Sequence, residues 1–218
     1  LVKLLEQLQP GAGDYFEFVE RLKDFDAVIA TGSNNSARYF EAYFGKYPHI
    51  IRRNRNGVAV LDGSETASEL HELGRDIFSY FGLGCRNVAK LYVPQGYDFV
   101  PLLEALHGFR DIVLHNKYKN NFDYYFAMHV LNKVEYMNNG CIMLLENPSL
   151  QSPIANLHYE HYVDVPGLQQ ELQQRASEIQ VVVSKRELPH SLPFGKAQQP
   201  GLADYADGVD TMAFLLEL

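Results

Sequence analysis

Cys85 follows Gly82 and Gly84 in the stretch FGLGCRNVAKLYVP (residues 81–94) and leads into a β-rich run. A thiol attacks as the thiolate, so a reactive cysteine needs a cation, a helix N-terminus or backbone N–H donors beside it. The two glycines let the backbone approach a substrate closely, and Arg86 supplies a neighbouring positive charge. A cysteine in a sharp loop can also lend its own N–H to a developing oxyanion. The competing reading is a small buried side chain at the entrance to a strand. A second candidate is ATGSNNS (30–36), a strand end followed by Gly32, Ser33 and a helix start. Such a turn offers N–H groups and the positive end of a helix to an anion such as a dinucleotide phosphate. It is not G-x-G-x-x-G, and Ser and Asn are also ordinary helix caps. The histidines carry no metal signature: His158 and His161 in LHYEHY would face opposite ways on a strand. Cys141, in an apolar hairpin strand, reads as packing. No metal is expected.

The elements that must position these residues alternate along the chain. Leu1, Leu4, Leu5 and Leu8 recur at helical spacing until PGAGD (10–14), and Asp14 with Glu17 reads as a capping pair opening a helix to about Lys23. DAVIAT (26–31) has strand length, a helix covers roughly 36–45, and NGVAVLDG (56–63) is a strand ended by a turn. A helix over about 65–80 puts Ala67, Leu70, Leu73, Ile77 and Phe78 on one face. After the Cys85 loop come a strand (NVAKLYVP) and a helix with Pro101 in its first turn. A further helix spans 120–133, and a hairpin surrounds Asn138-Asn139-Gly140. The pattern predicts a helix over 166–178, a strand over 179–184, a loop over 188–208, and a closing strand in VDTMAFLLEL. Helices alternating with apolar strands predict an α/β fold with a mainly parallel sheet.

Length and composition set the bounds. A chain of 218 residues, 46% hydrophobic and 21% charged, suits one large or two small domains and can bury a core without staples. Lys and Arg number 19 against 27 Asp and Glu, a formal net charge of −8, so no general attraction to nucleic acid is expected. The local exception, Arg52-Arg53-Asn54-Arg55, reads as a solvated turn. Two cysteines make no disulfide framework and favour a reducing, cytoplasmic setting. No apolar run approaches the roughly 20 residues needed to span a bilayer. The chain opens at Leu1 without an initiator Met, which suggests a piece of a longer protein.

Taken together, the order and separation of these motifs resemble the aldehyde dehydrogenase superfamily. TGS follows a strand, VLDG comes next, and a glycine-flanked cysteine lies 53 residues beyond Gly32 (85 − 32). PFGKAQQPGLADYADGVDTM (193–212) is similar to the family's PFGG-x-K-x-SG segment, and PGAGD to the loop before its Gly-Ser strand. ATGSNNSARYF and FGLGCRNVAKLYVP look most like the fatty acyl-CoA reductases of the LuxC type. The resemblance implies an aldehyde dehydrogenase-like α/β fold. Residues 1–62 would form the end of a Rossmann-type cofactor domain, 63–190 the catalytic cysteine domain, and 191–218 a returning loop and oligomerising C-terminal strand.

The resemblance further implies Cys85 as nucleophile and Thr31, Gly32 and Ser33 as the loop under the nicotinamide end of NADPH (or NADH). Glu146 would match the glutamate on the nicotinamide ribose, and Phe194 would line the substrate entrance. Hydrolytic members activate water with a glutamate in an ELGG turn. The corresponding stretch here, RNRNGVAVLDG, has no carboxylate at that place, which suits a thioester kept for exchange or reduction. The implied substrate is an acyl-CoA, reduced to the aldehyde; an acyl phosphate, CoA-acylating aldehyde oxidation, and a non-catalytic subunit of the same fold stand as alternatives. The family's oxyanion asparagine and adenosine-binding residues lie upstream of the Gly-Ser motif by more than 31 residues. The chain is therefore expected to be a C-terminal fragment, inactive alone and homo-oligomeric when full length.

Overall fold

The structure, a computed structural model, describes all 218 residues. Two compact units divide the chain: Leu1–Arg53 with Met212–Leu218, and Asn54–Thr211.

In the smaller unit, α1 (Val2–Leu8) precedes β1 (Val28–Thr31), α2 (Asn34–Phe44) and β2 (His49–Arg52). β1 and β2 form a two-stranded parallel sheet with Val28 opposite His49. The helix expected from Asp14 to Lys23 does not form; a short 3-10 turn, Ala12–Tyr15, gives way to irregular chain. Phe16, Phe18, Val19 and Leu22 all stay exposed there. Without an apolar face buried against a neighbour, a cap alone cannot hold ten residues helical. The basic turn is partly tied down in this unit, because Arg53 pairs with Glu41.

The larger unit is built on a seven-stranded sheet. Its strands are β3 (Asn56–Val60), β4 (Val88–Pro94), β5 (Met137–Asn138), β6 (Met143–Glu146), β7 (Asn156–Tyr162), β8 (Ile179–Ser184) and β9 (Ser191–Leu192). They lie in the order β5-β6-β7-β4-β3-β8-β9, all neighbours parallel except the β5–β6 hairpin. Alternation along β3 and β4 assigns the faces. Ala59, Leu91 and Val93 join Leu61 in the main core with residues of α3 (Ala67–Phe78), α4 (Val100–His107) and α5 (Asn116–Asn132). Val58, Val60 and Tyr92 turn the other way, toward Leu168 of α6 (Val165–Gln174). The break between the units falls at 53/54 in the sequence, and β3 lies inside the larger sheet between β4 and β8.

Local signals explain most of these boundaries. α3 starts in a reciprocal capping box between Thr66 and Glu69, and Pro101 sits in the first turn of α4. At the end of the chain the expected strand is instead α7 (Thr211–Leu216). A helix satisfies its own backbone groups without a partner strand. No helix is long and apolar enough to cross a membrane.

Gly74 of α3 carries a steric requirement: a Cβ there would lie 2.2 Å from Cε2 of Phe109, whose ring stacks on Phe78 at 5.1 Å. Gly74→Ala is expected to cost about 1–3 kcal/mol through overpacking, read as a lower denaturant midpoint. On the α6 face, Lys90 is fully buried; its Nζ donates to Glu160 at 2.8 Å and to the Asn147 carbonyl. Beside it, the Tyr92 hydroxyl donates to Glu171 at 2.9 Å.

Candidate active site

Cys85 is exposed, in a tight turn between α3 and β4. The approach to it is contorted: Tyr80, Phe81 and Gly82 all have positive φ, at 53°, 60° and 74°. For the two aromatic residues this left-handed backbone costs about 1 kcal/mol each, so neighbouring contacts must hold it. A turn closes over Cys85 and Arg86 when the Asn87 N–H donates to the Gly84 carbonyl at 3.0 Å. The Asn87 side chain holds the rest. Its Oδ1 accepts from Gly84 N–H at 2.8 Å, and its Nδ2 donates to the carbonyls of Asp76 (2.9 Å), Ser79 (2.8 Å) and Ile77 (3.2 Å). Two of those carbonyls belong to the last turn of α3, where helical partners run out. A Cβ on Gly84 would stand 2.9 Å from Asn87 Oδ1, so glycine is needed for this approach.

Next to this turn runs the segment 193–199. Asp76 accepts the Gly195 N–H at 2.6 Å and the Ala197 N–H at 3.0 Å. Arg86 Nε donates to the Ala197 carbonyl, so this guanidinium is committed to the same segment. Burial pushes the Asp76 carboxyl up to about 6; the Gly195 and Ala197 N–H groups pull it down, Glu72 adds to the rise and Arg86 opposes it. Since an unfolded Asp titrates near 3.9, about two units lower, the folded state holds this proton more tightly. The carboxyl's contribution to stability is therefore greatest below about pH 4 and declines as pH rises through about 6. A carboxyl NMR titration should give Asp76 a midpoint near 6, tracked by the Gly195 and Ala197 amides; a midpoint below 4 would contradict the burial.

Gly57, at the start of β3, abuts the cysteine turn: its N–H donates to the Asn87 carbonyl at 3.0 Å, and a Cβ would sit 2.6 Å from that oxygen. The segment 54–57 entering this contact contains no carboxylate. Arg55 there donates to the Ala176 and Ile179 carbonyls, both at 2.5 Å. Arg55 and Arg86 both line a cavity of about 1010 Å³, which is also walled by Val182 of β8, Leu192 of β9, Leu188 and Tyr205.

The remaining candidates are distributed. Thr31 ends β1 in the smaller unit, and Ser33 caps α2, its hydroxyl accepting the Ser36 N–H at 3.1 Å. A Cβ on Gly32 would meet Ser36 Cβ at 2.8 Å and a Phe40 ring atom at 2.9 Å, so strand and helix pack here through glycine. Glu146 ends β6 with its side chain exposed, in register with Tyr159. Phe194 is buried in the main core, next to the Gly195 held by Asp76. Cys141 is fully buried, and burial pushes its thiol up to about 11. His158 is bonded through Nδ1 to the Ser149 carbonyl and His161 to that of Pro94; no cluster of three or more His, Cys, Asp or Glu is arranged to hold a metal.

No protein-family model matches the chain, and no curated protein does. Solved structures do. Proline utilization A of Bradyrhizobium japonicum is 17% identical, covering 74% of this chain and 20% of its own, with a TM-score of 0.52. The aldehyde dehydrogenase KauB of Pseudomonas aeruginosa is 12% identical, covering 76% and 41%, with a TM-score of 0.51. The indole-3-acetaldehyde dehydrogenase AldA of P. syringae, solved as a variant with NAD+ and IAA, is 13% identical, covering 81% and 43%, with a TM-score of 0.51. The fold is that of the aldehyde dehydrogenases. The chain spans 41% and 43% of the lengths of the two aldehyde dehydrogenases and 20% of proline utilization A.

Within this aldehyde dehydrogenase fold, the turn that carries Cys85 and the 193–199 segment lie in one unit, linked by Asn87 and Ala197, which both bond Asp76, and by Arg86, which bonds Ala197. Asp76 and Asn87 escaped the sequence reading. The signal for Asp76 was present: it falls three residues after Leu73 on the apolar face of α3, where a carboxylate needs partners.

Proposed function

We propose that this chain carries the acyl-transfer part of a nicotinamide-dependent acyl-CoA reductase, a cytoplasmic oxidoreductase that is homo-oligomeric when complete. The observation that carries the reading is an exposed cysteine in a tight turn that follows three residues at positive φ, with no carboxylate in the segment 54–57 that enters beside it. The Cys85 thiolate attacks the thioester carbonyl of a long-chain acyl-CoA, the carbon–sulfur bond to coenzyme A breaks, and CoA thiolate leaves with the electron pair. Exchange of one thioester for another is nearly balanced, so positioning and oxyanion stabilisation supply the rate. Without a base to activate water, the enzyme thioester persists.

A reduced nicotinamide, NADPH or NADH, when bound supplies the hydride that takes this thioester to the aldehyde level. The residues fit such a group in part: the strand–Gly32–Ser33–helix turn directs the positive end of α2 to the end of β1, which suits an anion. Thr31, Gly32 and Ser33 would hold it. After reduction, the thiohemiacetal hydroxyl loses its proton, the aldehyde leaves, and Cys85 recovers its thiolate. Phe194 would line the substrate entrance.

Intact-protein mass spectrometry of the protein made from its natural coding sequence, after incubation with palmitoyl-CoA, tests the acyl-transfer step. One palmitoyl adduct mapping to the Cys85 peptide is expected. That protein left unmodified, or an adduct on Cys141, would overturn the assignment.

A further inference from the structure

The cysteine turn and the 193–199 segment are fastened to each other through one point on α3. The Asp76 carbonyl receives Asn87 Nδ2, and the Asp76 carboxylate receives the Gly195 and Ala197 N–H groups. Asn87 in turn uses its whole amide: Oδ1 on Gly84, and Nδ2 shared among three carbonyls. Both side chains are almost fully buried, at 1% and 2% exposure, where unmade hydrogen bonds are expensive. Independently, three successive residues before the cysteine sit at positive φ, a conformation that persists only where surrounding contacts over-determine it. Gly195 is held to its own left-handed φ of 80°, with space for a Cβ closed off by Glu72 Oε2 at 2.3 Å.

We propose that Asp76 and Asn87 are a coupled pair of positioning residues that sets Cys85 against the 193–199 segment for acyl transfer. Neither touches substrate; each acts by fixing the backbone that carries the nucleophile and the wall opposite it. The role in acyl transfer rests on the proposed function, whereas the mechanical coupling of the two loops does not. Loosening either residue therefore releases both loops, and the acylation rate falls while the thiol itself remains exposed and intact.

The test compares the wild-type protein with Asn87→Ala, Asp76→Asn, the double variant and Leu168→Ala, a control that opens the core on the far face of the sheet. Palmitoyl-CoA acylation and iodoacetamide alkylation of Cys85 are timed on the folded fraction of each. Both single variants should lose about 100-fold in acylation, the scale of a small misplacement of reacting groups, with alkylation within about threefold of wild type. The double variant should be no slower than the worse single one, because the two act as one unit. Wild-type acylation rates in the single variants, multiplicative losses in the double, or an equal loss in Leu168→Ala would overturn the proposal. Amide hydrogen exchange reads the coupling without any substrate. In Asp76→Asn the distant Gly84 amide should exchange at least about tenfold faster, together with Gly195 and Ala197. If wild type is not acylated, the functional reading fails; an unchanged Gly84 amide in that variant means the coupling itself fails.

Discussion

Cys85→Ala is expected to lower acyl-CoA reduction at least about 10⁴-fold, the scale on which covalent catalysis collapses when its nucleophile is removed. The measurement is aldehyde formation from palmitoyl-CoA and NADPH by the protein made from its natural coding sequence, with kcat/KM compared between wild type and variant. Binding should survive better than turnover, since alanine removes one small exposed side chain and leaves the turn's backbone bonds in place. Cys85→Ser should rank with Cys85→Ala, because a hydroxyl has neither the acidity nor the nucleophilicity of a thiol. Turnover that persists in both variants would remove the cysteine from the mechanism, whatever the fold.

The second large effect concerns stability. Lys90 is fully buried and Glu160 is the anion paired with it, at 2.8 Å. Glu160→Ala leaves that ammonium with the Asn147 carbonyl and its contact with the Tyr92 ring, 5.5 Å from the ring centre. Breaking a buried pair by removing one partner costs about 3–5 kcal/mol, and the low end, about 3, applies because water can reach Glu160. Urea unfolding at pH 7 should show this as a lower midpoint with little change in slope. Burial already depresses the Lys90 pKa, with Glu160 working against that fall. An ammonium whose folded pKa lies below its unfolded one destabilises at low pH, and stability returns as pH rises toward the unfolded value. The defect in Glu160→Ala should therefore shrink at high pH. Lys90→Met combined with Glu160→Gln should recover most of the loss, since an apolar replacement removes the buried charge altogether. A single variant as stable as wild type would mean that the pair is solvated in solution.

The contrast between what could and could not be read in advance follows from range. The cysteine turn, the strand–Gly32–Ser33–helix junction, Pro101 in a first turn and the hairpin at 138–140 are governed by neighbours within a few residues, and all appear. The 14–23 helix failed because a sound cap does not reveal whether Phe18 and Leu22 will find a surface to cover. The C-terminal strand became α7 because a strand depends on a partner that local sequence cannot name. β2 was passed over for a similar reason: four residues, HIIR, become a strand only through pairing with β1. At the candidate site the glycine-flanked cysteine turn was legible, but the side chains that support it were not. Asp76 works by bonding a segment far away in the chain, whereas Asn87 sits two residues after Cys85 and reaches back at most eleven residues, to the end of α3, a use that its residue type alone does not announce.

That separation has a consequence for how the protein is made. The carboxylate of Asp76 waits for partners 119 and 121 residues later, and Arg86 for one 111 residues later. Contacts so distant along the chain close late, after the loop entropy of everything between them has been surrendered. A growing polypeptide that has not yet delivered Gly195 already contains Cys85, β3 and β4, but not the segment that completes the clamp. Fastening of the cysteine turn to the 193–199 segment is thus a final event of maturation, and a chain clipped before Gly195 would keep the turn without its distant anchor.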